Sequence, residues 1–320
     1  MIQTTTRSFQ LATLVALAVL APLSTRAAET KPAPATQDFL QAHMDTSVDP
    51  GKDFFDYANG GWLAKNPIPA SEASWGIGNL VDDQLYTSLR KINDDAAKGS
   101  MPFGSYKRKI GSFWLTAMDT AKADQLGVHP LDVELARIKD VKNARDAMAE
   151  AFSLQLIDVN AFFRAGVYQD EKDSNTMAIH LRQGGLGLPE RDFYFNPEQG
   201  VARIREEYVA HLGRTLMLLG RDPKLAPADA VRVMQFETAL ANASWKREEL
   251  RDPQKNYNKM TLSDLTAKHT PSIPWSDRFL SWNLHPESVI VGQPDFFKAL
   301  DKLLQQTNPA ILRDYMRLRL

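Results

Sequence analysis

The sequence predicts a mainly α-helical protein: one large helical lobe with a single β-hairpin. Two observations carry that reading. Apolar residues recur at spacings of three and four over most of the chain, and one stretch alternates instead around a polar tip. No repeat of fixed period is present, which argues against a solenoid or a propeller.

The helices follow in order. Leu80, Gln84, Leu85, Leu89 and Ile92 fall on one face of a helix over 79–97, stopped by Gly99. Ile110, Phe113, Trp114, Ala117 and Met118 mark a second, and Leu131, Leu135 and Ile138 a third. Ala144, Ala147, Met148, Ala151, Phe152 and Leu156 mark a fourth. A fifth, through Ile204, Tyr208, Leu212, Leu216 and Leu219, ends at Gly220 and Pro223. A sixth starts near Pro227 and Asp229 and carries Val233, Phe236 and Leu240, joined by Val231 and Met234. Thr261 followed by Asp264 reads as a capping box. Phe296, Leu300, Leu303 and Leu304 follow Pro294 and Asp295 into another helix, and 315–320 begins a further amphipathic one. The hairpin is expected from Phe162–Tyr168 and Thr176–Leu181, with 169–175 as a long polar tip.

The first residues read as an address. Arg7 precedes the apolar run Leu11–Leu20, Pro22 ends it, and small residues follow at Thr25, Ala27 and Ala28, which is the pattern of a secretory signal over 1–27. The run is well short of the roughly 20 residues a spanning helix needs. No Cys follows it to carry a lipid. Residues 28–42 read as a flexible Pro- and Ala-rich leader, and 43–320 as the folded domain. The expected location is the periplasm or the outside of the cell, with no membrane span after signal cleavage.

Composition narrows the chemistry. With 38 Lys plus Arg against 39 Asp plus Glu, and a pI near 6.6, no basic excess marks a nucleic-acid partner. Absence of Cys removes disulfides, thiolate metal sites and Cys nucleophiles. The six His are scattered, the nearest pair being His269 and His285, so no His-Glu-x-x-His zinc helix exists in these residues. No Gly-x-Ser-x-Gly elbow or phosphate-binding loop occurs. Gly184, Gly185 and Gly187 run into Pro189 and charged residues rather than a helix, unlike a dinucleotide fingerprint. Asp82–Asp83 and Asp94–Asp95 read as solvated helix faces.

Several segments together carry a resemblance. They are DFFDYANGGWL from Asp53, NPIP from Asn66, Trp75–Gly76, GLGLPERDFY from Gly185, YNKMTL from Tyr257 and VIVGQP from Val289. In order and spacing, 43–320 resembles the N-terminal half of the neprilysin-type zinc metallopeptidases, in their bacterial secreted branch. The resemblance implies a two-lobed, mainly helical ectodomain that hydrolyses peptides. It also implies that the His-Glu-x-x-His helix, a further Glu ligand and an Asn-Ala motif lie beyond Leu320. This part would then be scaffold and lid, with no cofactor in this chain and zinc in full-length members. Peptides become its partners only once a catalytic half completes it. A non-enzymatic peptide- or partner-binding module, or a non-functional truncated product, stands as the alternative.

The same resemblance assigns roles by position. Ser74, beside Trp75, stands where animal members can carry an Arg that forms a substrate subsite; Ser lacks the two-pronged donor geometry that holds a carboxylate. Asn59 stands where animal members place a Cys. Phe54, Phe55, Tyr57 and Trp62 are expected as core or lobe-interface aromatics, and Gly60–Gly61 as a turn or a close approach. Arg191 and Asp192 are expected as a structural pair, with a cavity-facing role as the alternative. Ser74, Trp75, Arg191 and Asp192 are thus the candidate substrate-binding residues, with no catalytic or metal residue named. The address is directly testable: N-terminal sequencing of exported protein should begin at Ala28 or Glu29, and a sequence beginning at Met1 overturns it.

Overall fold

The computed structural model describes residues 38–70, 72 and 74–320. The expected secretory signal (1–27) and most of the expected leader (28–42) lie outside the described residues. The chain divides into two compact units, one ending at Met118 and one from Asp119 to Leu320.

The first unit contains α1 (Phe39–His43), α2 (Phe54–Lys65), α3 (Ile77–Ala97) and α4 (Tyr106–Ala117). The boundary expected between 42 and 43 falls inside α1. Asp53 caps α2 by accepting the Asp56 amide, and α2 runs through the two glycines that allowed a turn in the sequence. They serve close approach instead. A Cβ on Gly60 would meet the Asp45 side chain at 2.8 Å, and one on Gly61 the Met44 carbonyl at 2.6 Å. Helices α3 and α4 pack as a hairpin: Gly111 leaves room for the α3 backbone at Ala96, and the Trp114 indole donates to Asp94 at 2.8 Å. Asp94 is therefore more than a solvated face.

The periodic faces of α3 and α4 do not form a core in this unit. Its buried described residues are Ala96 and Gly111 alone, while Leu85, Leu89, Ile92, Ile110 and Phe113 are exposed. Phe54 and Phe55 are exposed as well, so they are not core aromatics. Amphipathic spacing specifies a helix and its apolar stripe; it does not specify what covers the stripe.

The second unit holds the hydrophobic core. It comprises α5 (Thr120–Leu126), α6 (Asp132–Lys139), α7 (Ala144–Gln155), β1 (Phe163–Asp170), β2 (Asp173–Gln183), α8 (Gln199–Leu218) and α9 (Ala226–Ala243). It continues through β3 (Asn258–Thr261), α10 (Leu262–Lys268), α11 (Trp275–Leu280), β4 (Ser288–Val291), α12 (Pro294–Gln306) and α13 (Pro309–Arg319). Asn143, Thr261 and Asn308 cap α7, α10 and α13 through their side chains. Around Phe152 of α7 lie Phe163, Trp275, Phe279 and Trp282, with ring centroids 4.6 to 5.9 Å away. Leu156 is exposed where the periodicity expected burial; Leu154 is the buried leucine of that turn.

The hairpin is present, but its tip is short. The strands reach Asp170 and Asp173, leaving only Glu171 and Lys172 in the turn. Polar strand residues there misled the expectation of a long loop. The hairpin is also part of a larger sheet, ordered β1-β2-β4-β3, in which β4 runs parallel to β2 and antiparallel to β3. Strands β3 and β4 have four residues each, too short for an alternating pattern to show.

One buried ion pair ties the hairpin tip to β3. Asp170, 2% exposed, accepts from Lys259 Nζ at 2.8 Å, the Lys172 amide at 2.9 Å and Tyr257 Oη at 2.9 Å. The Lys259 hydrogen bond, then the Lys172 amide, hold its carboxyl well below the usual carboxylate range. A carboxyl so depressed stabilises the fold above its unfolded pKa of about 4 and loses that effect as pH falls through the lower folded value. Thermal unfolding should therefore find Asp170→Asn less stable than wild type by a constant margin from pH 7 down to about 4, with the margin shrinking below it. A margin independent of pH down to strongly acid solution would contradict this.

Candidate functional site

The segment that leaves β2 is the most heavily tied part of the second unit. At the strand end, the Gln183 amide donates to Gln293 Oε1 at 2.8 Å, and the Gln183 side chain pairs with both the N–H and the carbonyl of Trp245. Gly185 follows with φ +82°, a left-handed conformation that disfavours any side chain. A Cβ there would also collide with the Ala161 carbonyl, with Tyr315 Oη at 2.7 Å and with Leu240 at 2.8 Å. The hydroxyl of Tyr315 lies within hydrogen-bonding reach of the Ala161 carbonyl and, at 2.6 Å, of the Gly185 carbonyl.

Behind this segment sits a buried carboxylate. Glu237 of α9 is 1% exposed and lies on the same helix face as Val233 and Leu240. Tyr194 Oη donates to it at 2.6 Å, Tyr208 Oη at 3.0 Å and the Gly187 amide at 3.3 Å. Tyr194 Oη in turn accepts from the amides of Gly187 and Leu188, each at 3.1 Å. A Cβ on Gly187 would run into the Tyr208 hydroxyl, so glycine keeps the backbone close enough to reach Glu237. Burial raises the Glu237 carboxyl above its ordinary value, opposed by the two tyrosine hydrogen bonds, the Arg319 charge and the Gly187 amide. Burial and the neighbouring carboxylate push both tyrosine hydroxyls well up, so they act as donors at any ordinary pH.

In front of the segment opens a cleft of about 780 Å³. The 184–191 backbone, Trp245, Leu250 and four arginines line it: Arg164 of β1, Arg191, Arg247 and Arg319 of α13. Arg191 pairs with Asp192 at 3.0 Å and stacks over the Phe195 ring at 5.0 Å, as a structural pair should. Arg191 also lines the cleft, whereas Asp192 does not. The other two candidates, Ser74 and Trp75, belong to the first unit. Ser74 is exposed and Trp75 half-buried just before α3. Glu237, Arg164, Arg247 and Arg319 escaped sequence reasoning. Glu237 left one signal, an acidic residue in register with the apolar face of α9.

Comparison with known proteins places the chain. The N-terminal domain model described as peptidase family M13 matches residues 50–320. The chain belongs to peptidase family M13. It is 30% identical over 291 residues to endothelin-converting enzyme 1 of Cavia porcellus, covering 85% of this chain and 37% of that protein. Endothelin-converting enzyme-like 1 of Homo sapiens is 28% identical, over 87% of this chain and 38% of its own length. The crystal structure of Mycobacterium tuberculosis zinc metalloprotease Zmp1 with an inhibitor superposes with a TM-score of 0.78 at 28% identity, over 87% of this chain and 42% of that one. The chain thus spans about two-fifths of the relatives it matches. The neprilysin-type resemblance and the mainly helical fold both hold.

A catalytic zinc in such an enzyme takes three protein ligands and an open position. Among the described residues no group of three or more His, Asp or Glu is placed to hold a metal, and the chain has no Cys. These residues do not fit that zinc. His180, for example, is buried in β2 with the Tyr168 ring edge-on to it. What the second unit presents is an arginine-lined cleft whose 183–188 wall is tied by hydrogen bonds.

The buried carboxylate makes a testable case. Glu237→Leu leaves two tyrosine hydroxyls and an amide without their acceptor and should cost about 2–4 kcal/mol. Glu237→Gln keeps an acceptor oxygen and should cost under about 1.5 kcal/mol near pH 5. A raised carboxyl contributes fully below its unfolded pKa and loses that contribution as pH rises through its folded value. Thermal melts from about pH 4.5 upward should therefore shift in favour of the Gln variant relative to wild type. Equal losses for Leu and Gln would show that the acceptor does not matter.

Proposed function

We propose that residues 50–320 form the scaffold and access-controlling part of a peptide-hydrolysing M13 metallopeptidase, with the zinc and its ligands supplied from outside these residues. The observation that carries this reading is the family match over 50–320. By analogy with Zmp1, whose name records a zinc metalloprotease, zinc would activate water for attack on a peptide carbonyl elsewhere in the assembly. The role of this part is then to decide which peptides reach that centre. Ser74, Trp75, Arg191 and Asp192 remain its candidate peptide contacts. Ser74 cannot grip a carboxylate as an arginine does, so of the four we favour Arg191, which lines the cleft.

The N-terminal pattern around Arg7, Leu11–Leu20 and Ala27 supports export, and hence a periplasmic or extracellular setting. Among the described residues no helix is long and apolar enough to cross a membrane. A second reading, a peptide-binding module without catalysis, is favoured by the same open cleft.

Metal content and activity separate the readings. The purified chain should hold well under one zinc per molecule after dialysis and should leave a pool of short peptides intact. Co-expression with the zinc-bearing segment of an M13 enzyme should restore cleavage that a chelator abolishes. One tightly held zinc per chain with chelator-sensitive cleavage by the chain alone overturns the proposal. Peptide binding that never leads to cleavage, even with that segment present, transfers the case to the binding module.

A further inference from the structure

The cleft carries an unbalanced charge. Four guanidinium groups line it against two carboxyls, Asp158 and Glu190. Arg191 is engaged by Asp192. Arg164 and Arg247 are exposed and, among the described residues, have no ion pair within 4.0 Å. Arg319 is half-buried: one terminal nitrogen donates to the Leu186 carbonyl at 3.2 Å, while its Nε is fully shielded from solvent and has no hydrogen-bond partner. The Nε is closed off by the protein itself, so only the terminal guanidinium nitrogens of Arg319 can meet a ligand in the cleft.

Around the charges the lining is mixed, with a few apolar side chains among polar groups, and its 183–188 backbone is firmly held. Leu186, Pro189 and Leu250 offer apolar side-chain contact, while Leu188 packs inward against Tyr194. The backbone from Gln183 to Leu188 is fixed by the Gln293, Trp245, Tyr315, Tyr194 and Glu237 contacts described above. A volume of about 780 Å³ suits a few peptide residues and falls in the range of pre-formed ligand pockets, about 300–1,000 Å³. A guanidinium fork matches a carboxylate with two parallel hydrogen bonds.

We propose that this cleft is a binding site for acidic peptide segments, with Arg164, Arg247 and Arg319 receiving Asp or Glu carboxylates while the apolar rim takes neighbouring aliphatic side chains. It rests on the reading that this chain meets peptides, and it gives that reading a substrate class. The site selects by charge and needs no metal.

The test uses the full exported chain and three probes. One is a labelled peptide with two Glu flanked by Leu; the second is the same peptide with Gln for Glu; the third is inorganic phosphate as competitor. Fluorescence anisotropy should show the Glu peptide binding about tenfold tighter than the Gln peptide, with the difference shrinking as salt is raised. The double variant Arg164→Gln and Arg247→Gln alters two exposed side chains, so the fold should survive, as a circular dichroism melt will verify. It should abolish the preference, while Arg214→Gln, on an exposed position of α8 away from the cleft, should leave it intact. Equal binding of the two peptides overturns the charge selection while leaving peptide contact standing. A preference that survives in the double variant overturns the assignment to this cleft. Phosphate competing as well as the Glu peptide shows a general anion site and overturns the peptide assignment. Binding of neither peptide overturns the inference outright, whereas the peptidase reading is then judged by the co-expression assay.

Discussion

Glu237 is the group on which the second unit depends. A carboxyl removed from water costs several kcal/mol unless hydrogen bonds replace its hydration. Here the replacements come from three places: Tyr194, Tyr208 of α8 and the Gly187 amide. Satisfying one side chain of α9 therefore fixes the loop that leaves β2, the short 3₁₀ turn carrying Tyr194, and the neighbouring helix. The glycines follow from the same demand. Gly187 has no room for a Cβ beside Tyr208, and Gly185 turns the chain through a conformation that presses its backbone against Tyr315. The cleft wall is rigid because the polar network behind it is satisfied, and a satisfied buried network specifies one geometry.

Much of the helical fold is legible in the sequence, for a physical reason visible in the second unit. There, most of each predicted stripe met another element and became core: Met148, Ala151 and Phe152 in α7, Leu212 and Leu216 in α8, Val233, Phe236 and Leu240 in α9, while Leu156 and Ile204 at stripe ends stay exposed. What escaped is the set of short elements. A four-residue strand such as β4 is a run of Ser-Val-Ile-Val, buried at three of four positions, with no alternation to read. Helix α2 was hidden by its own glycines, which usually argue against a helix interior but here permit contact with Met44 and Asp45. In the first unit the stripes of α3 and α4 are genuine while their burial is not, since periodicity encodes a surface and says nothing of its partner.

The candidate site was legible only as a segment. GLGLPERDFY stood out in the sequence, and Arg191 with Asp192 forms the local pair that adjacency allows. The cleft itself joins Arg164, Arg247 and Arg319, drawn from β1, from the loop after α9 and from α13. Those positions are far apart in the chain, and nothing in their neighbours separates them from ordinary surface arginines. Only the fold, by bringing the end of α13 beneath the Gly185–Leu188 loop, turns them into a site.

The proposed function implies a division between selection and catalysis. Hydrolysis at a metal requires a ligand set that holds an open position, with a base beside it. Charge selection requires something different: fixed guanidinium groups, few competing carboxyls, and walls that do not relax when a peptide enters. The proposed cleft supplies arginines, few competing carboxyls and a well-tied backbone wall, which is what the second requirement asks for. Separating the two has a physical advantage. An arginine cluster beside a dipositive metal would add like charge and weaken the metal's hold, whereas a distant cluster can favour acidic segments without that cost. Selection would then act on binding more than on the chemical step, so under this proposal neutralising Arg164 and Arg247 in the chain assayed together with the zinc-bearing segment of an M13 enzyme should raise KM for acidic peptides and leave kcat nearly unchanged.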